Sequence, residues 1–123
     1  MRKIVIMGAL MMLVVGVFAS AAYARTFTCT DLPCKGTNDR DVINERPAFG
    51  VPDVIYGMRG PDEINAAISP GDVDVVYGGR GGDTIYTNDG DPLDTVYAGR
   101  GVDTCYVDVG DEYFGCEVVN ISI

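Results

Sequence analysis

The sequence predicts an all-β protein, a parallel β-roll or β-solenoid of about four to five coils with short strands and Gly- and Asp-rich turns. Three observations carry that expectation. One turn, Tyr-(Gly/Ala)-x-Arg-Gly-x-Asp, occurs as Tyr56-Gly57-Met58-Arg59-Gly60-Pro61-Asp62, Tyr77-Gly78-Gly79-Arg80-Gly81-Gly82-Asp83 and Tyr97-Ala98-Gly99-Arg100-Gly101-Val102-Asp103, with starts 21 and then 20 residues apart. Each terminal aspartate is followed two residues later by a small apolar residue, Ile64, Ile85 or Cys105. Aspartates also recur beyond these turns, at 41, 53, 62, 74, 83, 94, 103 and 111, so that a longer interval alternates with one of nine residues until the last step. Two strands per coil follow, one on each side.

Ahead of the repeat, Arg2 and Lys3 precede an apolar run that ends in Ala22-Tyr23-Ala24. A charged start, an apolar stretch and a small-x-small end are the order of a signal peptide, expected here over residues 1–24 with cleavage after Ala24. The apolar run also approaches the length of a spanning helix, which would make it an uncleaved anchor. The processed chain would then begin at Arg25. Residues 25–35 are expected to form an N-terminal cap.

The repeat proper is expected over residues 36–114. Asp41-Val42-Ile43-Asn44, Asp62-Glu63-Ile64-Asn65, Asp83-Thr84-Ile85-Tyr86 and Asp103-Thr104-Cys105-Tyr106 form the strands of one side. Asp53-Val54-Ile55-Tyr56, Asp74-Val75-Val76-Tyr77, Asp94-Thr95-Val96-Tyr97 and Asp111-Glu112-Tyr113-Phe114 form the other. Side chains alternate across a strand, so the third residue of each points inward. The expected core is Ile43, Ile64, Ile85 and Cys105 facing Ile55, Val76, Val96 and Tyr113. So thin a core needs a supplement, and bound metal with disulfides is the economical one. Tyr56, Tyr77, Tyr97 and Phe114 would form an outward aromatic row. Such a row is either a contact face for a cell-surface glycan or protein, or in-register pairing that stabilises the sheet.

Residues 115–123 are expected to form a C-terminal cap. Four cysteines in an exported chain favour two disulfides, and sequence proximity favours Cys29–Cys34 and Cys105–Cys116 as clamps at the two ends. Zinc is the competing use, but no Cys-x2-Cys pair and no histidine is present.

Charge narrows the partners. The chain has nine Lys and Arg against 18 Asp and Glu, and loss of Arg2 and Lys3 with the leader moves the balance from −9 to −11. That excess argues against nucleic acid, whose phosphates need Lys and Arg. It also opposes compaction unless counter-ions bind.

Gly78-Gly79-Arg80-Gly81-Gly82-Asp83-Thr84-Ile85-Tyr86 resembles in full the hemolysin-type (RTX) calcium-binding nonapeptide, Gly-Gly-x-Gly-x-Asp-x-(apolar)-x. Residues 57–65 depart from it at Met58, and residues 98–106 at Ala98 and Cys105. Residues 36–44 keep only Gly36, Asp41 and Ile43. The resemblance implies a small secreted stand-alone repeat protein, extracellular or periplasmic, that binds Ca2+ between stacked turns, in two to three ions. The ligands it implies are the carboxylates of Asp41, Asp62, Asp83 and Asp103 with backbone carbonyls of Gly57, Arg59, Gly78, Arg80, Ala98 and Arg100. The chemistry agrees, since calcium takes six to eight oxygens from carboxylates and carbonyls. Arg59, Arg80 and Arg100 themselves either form an exposed basic stripe or offset neighbouring acids.

On the opposite edge the connections lack the glycine pattern and contain Pro47, Pro52, Pro70 and Pro92. Asp72, Asp89 and Asp91 could supply ligands there, although Asx/Gly turns explain Asn88-Asp89-Gly90-Asp91 equally well. An EF-hand is excluded by its loop spacing and by the flanking strands. An enzyme is not expected, because a chain without histidine assembles no Ser-His-Asp or Cys-His arrangement. The remaining alternative to a calcium module is a structural or adhesive surface module using Tyr56, Tyr77 and Tyr97.

Overall fold

The computed structural model describes residues 24–48 and 50–123, so the expected leader lies outside the described residues except for Ala24. Strands follow in the order β1 (Arg25–Thr28), β2 (Cys34–Lys35), β3 (Asp41–Asn44), β4 (Val54–Tyr56), β5 (Glu63–Asn65) and β6 (Val75–Arg80). After them come β7 (Thr84–Tyr86), β8 (Thr95–Arg100), β9 (Thr104–Asp108), β10 (Glu112–Phe114) and β11 (Val118–Ser122). Odd-numbered strands form one parallel sheet, β1-β3-β5-β7-β9-β11, and even-numbered strands the other, β10-β8-β6-β4-β2. Every strand therefore pairs with the strand one coil away. The result is a parallel β-roll, and among the described residues no helix is long and apolar enough to cross a membrane.

Register follows the repeat. Ile43 lies opposite Ile64, Ile64 opposite Ile85, and Ile85 opposite Cys105. Ile55, Val76 and Val96 stack in the same way on the other side. All seven are fully buried, which is the period-two alternation of the sequence made into a core. Four coils, β3–β4 to β9–β10, carry this pattern. The end segments continue it, with Phe27 opposite Ile43 and Val119 opposite Cys105.

One expected core member is corrected. Tyr113 holds its register position opposite Val96, yet it is 38% exposed. Its strand β10 is the last of its sheet, so no further strand covers it.

Disulfides join Cys29 to Cys34 and Cys105 to Cys116, with Cα atoms 5.4 and 6.0 Å apart. Both separations are ordinary for the bond. The first ties the residue just after β1 to β2 across the opening coil, and the second fastens β9 to the segment that leads into β11. Outside, Tyr56, Tyr77, Tyr97 and Phe114 stack face to face with centroid spacings of 4.7, 5.1 and 5.3 Å. A second stack, Tyr86 on Tyr106 at 4.7 Å, lies on the other sheet.

Candidate metal centre

Stacking strands in register also stacks the aspartates that open them, and both edges of the roll become carboxylate ladders. On the glycine edge the backbone N–H of Asp41 donates to Asp62 Oδ1 at 2.9 Å, that of Asp62 to Asp83 Oδ1 at 2.9 Å, and that of Asp83 to Asp103 Oδ1 at 2.8 Å. Glu117 ends the column by accepting the Asp103 N–H at 2.8 Å. Each carboxylate thereby commits one oxygen to the neighbouring coil. The other oxygen of Asp62, Asp83 and Asp103 is buried and has no hydrogen-bond donor.

The nonapeptide glycines leave those free oxygens uncovered. A Cβ at Gly57 would lie 2.5 Å from the Gly78 carbonyl oxygen and 2.7 Å from Asp62 Oδ2. At Gly78 it would lie 2.4 Å from the Ala98 carbonyl oxygen and 2.6 Å from Asp83 Oδ2. Carbonyl and carboxylate oxygens of successive turns thus face one small space that any side chain would fill. Ala98 ends this row, where no further nonapeptide turn stacks on it. A second row is needed for backbone approach, since Gly81 has φ 135° and a Cβ there would sit 2.1 Å from the Gly60 carbonyl oxygen.

Of the remaining implied ligands, the carbonyls of Arg80 and Arg100 already accept the N–H groups of Gly60 and Gly81, each at 2.8 Å. Arg59 forms a parallel bridge with Arg80. Asp41 differs from the other three aspartates. Its Oδ2 accepts the Thr37 N–H at 2.5 Å and the Thr37 hydroxyl at 3.0 Å, so its carboxylate is satisfied within its own turn.

Burial without counter-charge pushes these acids upward. Asp62 is raised to about 7, by burial first and then by the charges of Asp83 and Asp41, against the lowering effect of the Asp41 N–H. Asp83 is raised to about 6, by burial and then by Asp103. Asp103 moves the same way, again through burial first. A buried carboxylate whose oxygen lone pairs accept no hydrogen bond calls for a proton or a cation. Calcium fits the residues present, because the donors are all oxygens and mix carboxylate with carbonyl.

The loop edge repeats the ladder with different chain. Asp53, Asp74 and Asp94 donate their N–H groups to Asp74 Oδ1, Asp94 Oδ1 and Asp111 Oδ1 at 2.7, 2.8 and 3.2 Å. Asp74 and Asp94 each keep one buried oxygen without a donor. At the ends the need is met locally. Arg46 bonds Asp53 through its backbone N–H at 2.8 Å and through its guanidinium at 3.0 Å, while Asp111 Oδ2 accepts from Asp108 N–H and the Thr87 hydroxyl. Sequence reasoning did not single out Glu45, which is buried beside Asp72 and Asp74. Its signal was the alternation Asp41, Ile43, Glu45, which places a charged residue at an inward position.

A parallel roll with half-satisfied aspartate columns and glycine-lined turns defines a metal-binding repeat protein. Residues 71–105 and 93–111 match the family model for the RTX calcium-binding nonapeptide repeat (4 copies), so that stretch of the chain carries RTX repeats. No curated protein and no solved structure matches it. The turn at residues 57–62 lies outside the matched stretches and shares their geometry.

Proposed function

We propose that this is a secreted protein whose β-roll is stabilised by Ca2+ held between stacked nonapeptide turns, in two to three ions. The observation that carries the reading is the column of buried, donor-free oxygens of Asp62, Asp83 and Asp103 beside the Gly78 and Ala98 carbonyls. In this reading those carboxylates hold the ions with carbonyls of Gly57, Arg59, Gly78, Arg80, Ala98 and Arg100, and Asp41 closes the column with Thr37. Residues 1–24 direct export, and residues 25–35 and 115–123 cap the roll. The two disulfides and the calcium-binding repeats support an extracellular or periplasmic setting. Metal binding and folding are coupled, because each site exists only when two turns stack. Calcium titration followed by calorimetry and circular dichroism tests it. Saturable binding with a gain of β signal, lost in Asp62→Asn/Asp83→Asn, is expected at this edge; an unchanged response in that variant overturns the assignment.

A second reading, a surface contact role for a glycan or protein, is favoured by the stack of Tyr56, Tyr77 and Tyr97, of which Tyr56 and Tyr77 line a groove of about 420 Å³ together with Arg59, Arg80 and Arg100. Loss of glycan or cell-surface binding in Tyr77→Ala, with calcium binding intact, would support it.

A further inference from the structure

We infer that the loop edge carries a second calcium centre, assembled from Glu45, Asp72 and Asp74 and extended outward through Asp72 to Asp89 and Asp91. None of these residues belongs to a nonapeptide turn, so the inference goes beyond the function proposed above. One oxygen from each of Glu45, Asp72 and Asp74 lies within 4.8 Å of the others, and the same holds for Asp72, Asp89 and Asp91. Glu45, Asp72 and Asp74 are at most 3% exposed.

The hydrogen bonds show which oxygens are left. Glu45 Oε1 accepts the Ser69 N–H and Asp74 Oδ1 the Asp53 N–H. Asp89 Oδ1 accepts the Asp91 N–H at 3.1 Å, and Asp91 Oδ2 the Gly71 N–H at 2.5 Å. Glu45 Oε2, Asp74 Oδ2, Asp89 Oδ2, Asp91 Oδ1 and both oxygens of Asp72 are buried with no donor. The backbone thus fixes four of these carboxylates by one oxygen and leaves the other for a ligand. Asp72, with two free oxygens, belongs to both groups and is placed to bridge them.

Local geometry makes the inner group accessible to Glu45. Glu45 points inward from the corner after β3, and Ala66 occupies the equivalent corner of the next coil, as the Glu45 N–H to Asn65 and Ala66 N–H to Tyr86 bonds show. The small alanine leaves the carboxylate room to reach the following loop. No basic group answers these charges, since Arg46 is engaged with Asp53 in the sole ion pair among the described residues. A proton shared between Glu45 and Asp74 would neutralise one charge and leave both Asp72 oxygens unmet. A hard multivalent cation satisfies all three acids, and an all-oxygen donor set suits calcium over zinc.

The test titrates the intact, disulfide-bonded protein with calcium alone, counts ions by native mass spectrometry, and follows the fold by circular dichroism. Glu45→Gln/Asp72→Asn is expected to lose at least one ion that Asp62→Asn/Asp83→Asn retains, with affinity at that site falling more than about tenfold. Should the double variant fail to fold, Asp72→Asn alone carries the test, because the replaced carboxylate makes no hydrogen bond. An ion count and affinity in Asp72→Asn equal to the parent protein would overturn the inference, as would complete loss of binding in Asp62→Asn/Asp83→Asn. Complete loss in Glu45→Gln/Asp72→Asn with no change in the other variant would instead sustain this centre and remove the nonapeptide one.

Discussion

The glycine edge and the loop edge of this roll solve one problem in two ways. Both stack aspartates so that each N–H donates to the carboxylate one coil on, and both leave the second oxygen of the middle aspartates unmet. On the glycine edge the turn is short, and removing Cβ atoms uncovers backbone carbonyls beside those oxygens. On the loop edge the connection is longer, and it brings further carboxylates, Glu45, Asp72, Asp89 and Asp91, to the same place. A sequence motif captures the first solution because it depends on glycine at fixed positions. The second depends on where loops fold back, and it leaves no fixed spacing.

The largest effect that would separate the edges is removal of calcium itself. Chelation at neutral pH is expected to lower the β signal and the melting temperature, and re-addition to restore both; at a hundredfold excess over the dissociation constant one site contributes about 2.7 kcal/mol. A melting curve indifferent to chelator would show that the disulfides and core alone hold the fold. Next in size is a glycine comparison. Gly78→Ala places a Cβ against the Ala98 carbonyl and Asp83 Oδ2, and is expected to cost about 1–3 kcal/mol and one bound ion. Gly50→Ala meets only the Gly71 carbonyl oxygen at 3.8 Å, an ordinary contact, and is strained only by its φ of 64°, so about 1–2 kcal/mol should be lost with the ion count unchanged. Equal ion loss in both would erase the distinction between a space-limited and a backbone-limited turn.

Acidification acts on both edges, with opposite sign for the metal-free and calcium-bound protein. Burial pushes Asp62 to about 7, Asp83 to about 6, Asp94 to about 8 and Asp74 to about 9. These acids hold protons in the folded state that the unfolded chain releases near pH 4. Stability of the metal-free roll is therefore greatest below that point and falls as pH rises through 6 to 9. Calcium competes with those same protons, so its affinity is expected to rise over the same window. Melting of chelated protein at pH 5 and pH 8 checks the first sign, and calcium titration at the two values checks the second. A chelated protein more stable at pH 8 would mean the carboxylates are charged and satisfied without metal.

Much of this was legible in the residues. The 21- and 20-residue intervals fixed the coil, and the position two after each aspartate identified Ile43, Ile64, Ile85 and Cys105 as one buried column. Tyr113 was misplaced because periodicity assigns a direction and not a cover, and β10 is the edge of its sheet. Glu45 went unnoticed because its meaning comes from Ser69, Asp72 and Asp74, which lie 24 to 29 residues away and meet it only through the stacking of two coils. The family resemblance drew attention to glycine turns and so away from the edge that lacks them.

Asp41 offers the finest test of how far the nonapeptide pattern extends. Its turn has lost most of the glycines, and Thr37 supplies both a backbone N–H at 2.5 Å and a hydroxyl at 3.0 Å to Asp41 Oδ2. If that local pair replaces a cation, Thr37→Val should cost only about 1 kcal/mol, the worth of one hydrogen bond, because the N–H remains. The ion count should not move. A calcium stoichiometry that rises in Thr37→Val would show that the hydroxyl had been excluding an ion from this turn. A fall would show that Asp41 already binds one together with Asp62, and that the weakest copy of the repeat is a working member of the column.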